Sequence, residues 1–63
     1  MSNELINSAR ILRDKTIDEH PELKNEVLDL FSLMLTEISD GESTVNEVSL
    51  FENSIQELLD ENM

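Results

Sequence analysis

One proline and one glycine interrupt a chain whose apolar residues otherwise recur at helical spacing, and that pattern leaves few folds open. Pro21 biases the residue before it away from helical geometry and itself suits a first helical position, where its absent N–H is not missed. Gly41 is at ease in the left-handed conformation that commonly closes a helix. Three helical segments follow, near residues 3–18, 21–39 and 44–61, joined by two short connections that favour antiparallel neighbours. The expected fold is therefore all-α, a small three-helix bundle forming a single acidic helical domain over residues 1–63.

In the first segment Leu5, Ala9, Leu12 and Thr16 fall on one face, with Ser2 or Asn3 as the cap. Ile6, Ile11 and Ile17 widen the apolar surface, while Arg10, Arg13 and Asp14 mark a wetter side. The second segment has His20 as its cap, with Asp18, Glu19 and Glu22 near the positive helix end. Its polar stripe is Glu22, Asn25, Asp29, Ser32 and Thr36, and apolar residues from Leu23 to Ile38 fill most of the rest. An apolar face that wide exceeds what one neighbour covers, so this helix is expected to be the most buried. The third segment opens on Thr44 and Glu47, spaced as a capping box, and continues with Val48, Phe51, Ile55 and Leu58 on its inner face.

Sixty-three residues support only a small core, and without cysteine no disulfide or thiolate metal site can staple it. Homodimerisation would complete such a bundle, and Ile6, Ile11, Ile17, Leu28 and Leu35 are the candidate contacts. The N-terminus lacks a basic stretch followed by an apolar run, so no signal peptide is expected. The longest near-continuous apolar run, Leu30 to Leu35, is far too short to span a bilayer. The expected location is the cytoplasm, with no membrane partner.

Catalysis is not expected. His20 is the only imidazole and sits at a helix cap, and paired carboxylates need a pocket that separates their pKa values. Two Phe without Tyr or Trp are poor material for such a pocket. A calcium loop beginning at Asp40 fails, because its glycine position holds Val45 and its bidentate position holds Phe51. No cofactor and no metal are expected. Arg10, Arg13 and Lys15 form too small a basic footprint for direct nucleic-acid binding, and the third helix is acidic throughout.

Charge is the informative feature for partners. Residues 1–24 set four basic groups against five acids, whereas residues 25–63 set ten acids against none, for a net charge of −11. A field of that sign repels phosphate and attracts a basic protein surface. The candidate partner-binding residues are Asp40, Glu42, Glu47, Glu52, Glu57, Asp60 and Glu61. Glu47, Glu52 and Glu57 recur every five residues and so spiral around the helix, which means that a straight acidic row needs carboxylates from the second helix or a second subunit. In charge and size the chain resembles small acidic proteins that occupy nucleic-acid-binding sites, those encoded by phages or mobile elements among them. The expected function is that of an acidic protein-interaction module that modulates or inhibits a basic, nucleic-acid-binding partner. The alternative is an assembly or adaptor subunit that binds through the apolar surface of helices 1 and 2.

Overall fold

The computed structural model describes residues 3–62, and Pro21 and Gly41 fall at its two joints. Helix α1 runs Asn3–Glu19, α2 runs Lys24–Ser39 and α3 runs Thr44–Glu61, with no strand among the described residues. Each helix packs against the other two, which makes a three-helix bundle. Among the described residues no helix is long and apolar enough to cross a membrane. Ser2, one of the two expected caps of the first helix, lies outside the described residues.

The first joint differs in detail from the sequence expectation. Pro21 opens one 3₁₀ turn, Pro21–Leu23, and the α-helix begins only at Lys24, whose N–H donates to the Pro21 carbonyl. His20 occupies the cap position but its imidazole makes no capping bond. The ring instead sits with Nδ1 3.5 Å from Glu22 Oε2. Backbone groups close the corner: His20 N–H donates to the Thr16 carbonyl at 2.8 Å and Leu23 N–H to the His20 carbonyl at 2.9 Å. With these bonds formed, the joint needs no side-chain cap.

At the second joint Gly41 has φ +103°, which an L-residue adopts only with strain. Its N–H donates to the Ile38 carbonyl and the Glu42 N–H reaches back to the Glu37 carbonyl, both at 3.1 Å. Those two bonds are a Schellman motif, and they satisfy carbonyls that the end of α2 would otherwise leave open. The next helix starts one residue earlier than the Thr44 box implies. Ser43 is the cap, with extended backbone, and its hydroxyl accepts the Asn46 N–H at 3.4 Å. Glu47 thereby falls one position beyond the box and is freed from a capping role.

The core combines Ala9 from α1, Leu23, then Val27, Phe31 and Met34 from α2, and Val48, Phe51 and Ile55 from α3. Thr16 is also buried, and its hydroxyl is satisfied by the Leu12 carbonyl at 2.7 Å. The second segment contributes most to the core, as expected: Leu23 of the 3₁₀ turn with Val27, Phe31 and Met34 of α2, against three residues of α3 and Ala9 of α1, although α2 leaves Leu28, Leu33 and Leu35 exposed. Arg13, expected on the wet side, is drawn inward. Its guanidinium lies 4.6 Å from the Phe31 ring centroid and 2.8 Å from Asp14 Oδ1, so its stem covers an edge of the core.

Candidate functional site: an acid-rimmed groove between α2 and α3

Helices α2 and α3 run antiparallel, and the surface between them is a continuous open groove. Its wide end, about 420 Å³, is lined by Glu26, Asp29, Leu30 and Leu33 of α2 and by Ser54, Glu57, Leu58 and Glu61 of α3. Its narrower end, about 210 Å³, adds Met34, Glu47, Leu50 and Phe51, and shares Leu30, Leu33 and Ser54 with the first. The floor is apolar and the rim carries five carboxylates: Glu26 and Asp29 on one side, Glu47, Glu57 and Glu61 on the other. No lysine or arginine lines it.

Helical geometry explains how this sequence puts those residues together. At about 100° per residue, positions seven apart return to nearly the same side of a helix. Glu47, Ser54 and Glu61 are so related, as are Leu50 and Glu57, which makes one flank of α3. Glu26 and Leu33 are so related on α2, with Asp29 and Leu30 between them. Leu33 and Leu50 are 57% and 56% exposed, against 6% or less for the residues of the core. The groove therefore keeps two large apolar side chains wet in the isolated chain.

The carboxylates are arranged without local compensation. Among the described residues the side-chain ion pair is Arg13 with Asp14, which does not reach the groove, and neither does the contact of His20 with Glu22. Asp60 and Glu61 sit at the C-terminal end of α3, where no basic residue occupies the last turn. Negative charge there opposes the helix dipole by roughly 0.3–1 kcal/mol per group. Among the described residues no three His, Asp or Glu side chains converge as metal ligands, and the rim acids are instead spread along the groove.

Only part of the sequence-predicted set is brought together. Glu47, which is half-buried, and the exposed Glu57 and Glu61 line the groove. Asp40 and Glu42 are exposed in the α2–α3 turn. Glu52 lies five residues from both Glu47 and Glu57, about 140° around the helix, on the far flank. Asp60 is also off the groove and accepts a hydrogen bond from Gln56 Nε2 at 3.1 Å. Glu26 and Asp29 of α2 face these carboxylates across the groove as a second acidic row, and neither was among the expected partner contacts.

The candidate self-association residues are dispersed. Ile11 is 68% exposed, yet Asn7, Ser8, Asp14 and Lys15 around it on α1 are exposed polar residues. Ile6 and Ile17 are half-buried, and Ile17 packs on the core. Leu28 and Leu35 are exposed at 37% and 39% and share a flank of α2 about 140–160° from Leu33. No protein-family model, curated protein or solved structure matches the chain, so its own residues carry the functional argument.

Proposed function

We propose that this chain is an acidic protein-interaction module that binds the basic surface of another protein in the cytoplasm and modulates or inhibits it. The observation that supports this most directly is the uncompensated carboxylate rim of the α2–α3 groove. Like charges held together without counter-ions raise the energy of the free chain, and a cationic partner relieves that repulsion on binding. A basic surface that ordinarily holds nucleic acid has the matching charge, so a nucleic-acid-binding protein is the expected partner and masking of its surface the expected mode of inhibition.

The adaptor reading draws its support from Leu28 and Leu35, which share one flank of α2. The two readings separate on salt. Affinity capture from the source cell's lysate, repeated at low and high ionic strength, is followed by association kinetics with each captured protein. A partner whose association slows steeply with salt fits the acidic module. A partner retained with unchanged kinetics at high salt fits the adaptor and ends the electrostatic reading.

A further inference from the structure

We propose that the α2–α3 groove is the docking site for a basic amphipathic helix of the partner, which lays its apolar stripe on Leu30, Leu33 and Leu50 and its flanking lysines or arginines along the rim. The inference rests on the electrostatic reading above and adds to it the site, the conformation and the anchoring residues.

Between two rows of carboxylates the groove leaves Leu33 and Leu50 exposed at more than half their area. An apolar floor with a charged rim is the anatomy of a peptide-binding groove, in which buried apolar anchors supply affinity and rim charges supply encounter rate and orientation.

Both walls are helices, so their backbone N–H and C=O groups are paired internally and offer nothing to an extended strand. A strand laid on that floor would leave its own backbone groups without partners over leucine side chains, at a cost comparable to lost hydrogen bonds. A helix satisfies its backbone internally and docks by side chains alone. From Glu47 to Glu61 the α3 wall covers fourteen residue steps, about 21 Å, which matches an occupant helix of about four turns. Such a helix converts the three-helix bundle into a four-helix one.

A second copy of this chain does not match the groove. The basic residues of this chain are Arg10, Arg13, Lys15 and Lys24. Arg13 is engaged by Phe31 and Asp14, and α1 turns its apolar face into its own core. The outer face of α1 offers only Ile11 among polar neighbours, so this chain presents no basic helix with an apolar stripe. The occupant must come from another protein.

The test is a titration of the full chain, labelled at leucine methyls, with a synthetic helix of leucines on one face and lysines on its flanks. A peptide of the same composition in scrambled order serves as control. The expected result is methyl shifts centred on Leu30, Leu33, Leu50 and Leu58 with the amphipathic peptide alone. The double variant Leu33→Ser/Leu50→Ser should weaken binding about tenfold or more while helical circular dichroism is retained, since both side chains are largely exposed. Leu28→Ser/Leu35→Ser should bind as the parent does. Equal binding of both peptides without leucine shifts would overturn the groove and leave the electrostatic reading standing. Shifts centred on Leu28 and Leu35 would place the docking site elsewhere. Groove shifts that grow with protein concentration in the absence of peptide would make the occupant a second copy. Failure of both peptides to bind even at low salt would overturn both the groove and the electrostatic reading.

Discussion

Phe31 and Phe51 meet edge to face, with ring centroids 5.7 Å apart and planes at 73°, and this contact ties α2 to α3 at the base of the groove. Phe51 is also a lining residue of its narrower end. The same ring pair thus sets the separation of the two walls and carries Arg13 on its outer edge through Phe31. Core packing and groove geometry are one arrangement here.

Truncating either ring should therefore be costly. Phe31→Ala and Phe51→Ala are each expected to lose roughly 3–5 kcal/mol, the usual range for buried Phe. The pair should show a coupling of about 0.5–1.5 kcal/mol in a double-mutant cycle read by urea unfolding. Leu30→Ala should cost less than Phe31→Ala, because Leu30 is only half-buried and its missing atoms leave groove and not sealed cavity. Equal losses at Leu30 and Phe31 would mean that the groove floor is closed in solution.

Gly41→Ala isolates the backbone term of the second joint. A Cβ at this position meets nothing within 4 Å, so no steric contact contributes. The cost should come from φ +103° alone, about 1–2 kcal/mol as a lowered unfolding midpoint. A neutral substitution would show that the Schellman bonds from Gly41 and Glu42 are not maintained.

Much of this fold is legible in the sequence because the punctuation is sparse and its meaning local. Pro21 and Gly41 locate the joints, and the line Leu5, Ala9, Leu12, Thr16 correctly gives the inner face of α1. Two things were not legible. The run Leu30 to Leu35 shows that α2 is apolar around much of its circumference, but not where its neighbours stop covering it. That limit is set by interhelical packing, and it leaves Leu33 wet. The groove likewise needs two helices at once. Following Glu47, Glu52 and Glu57 by type alone gives a spiral, whereas the seven-residue relations of Glu47 with Glu61 and of Leu50 with Glu57 mark the flank that meets Glu26 and Asp29.

Self-association, if the bundle is completed that way, must overcome the repulsion of two chains each carrying −11. The dimer fraction is expected to rise with salt, as screening shortens the reach of that repulsion to about 8–10 Å at physiological ionic strength and less above it. Leu28→Ser/Leu35→Ser should reduce it. Sedimentation across a salt series reads this directly. A 7.2 kDa species alone throughout would end the dimer expectation, and a dimer that dissociates as salt is added would mean that ion pairs hold it.

Charge reversal can separate the groove rim from the net charge. Glu57→Lys/Glu61→Lys alters two rim carboxylates, and Glu52→Lys/Asp60→Lys alters two on α3 that lie off the groove. Each pair shifts the net charge of the chain equally, each includes one residue near the C-terminal end of α3, and all four side chains are exposed, so helical content should be retained. Glu47 is left unchanged because it is half-buried, and its substitution would mix packing with charge. The rim pair is expected to slow association with a basic partner and to flatten its salt dependence, while the off-groove pair has the smaller effect, because a bound helix places its lysines or arginines against the rim. Equal slowing by both pairs would mean that the field of the whole chain attracts the partner and that the groove plays no part. Unchanged rate and affinity in both would mean that the carboxylates of α3 are only a solvated face.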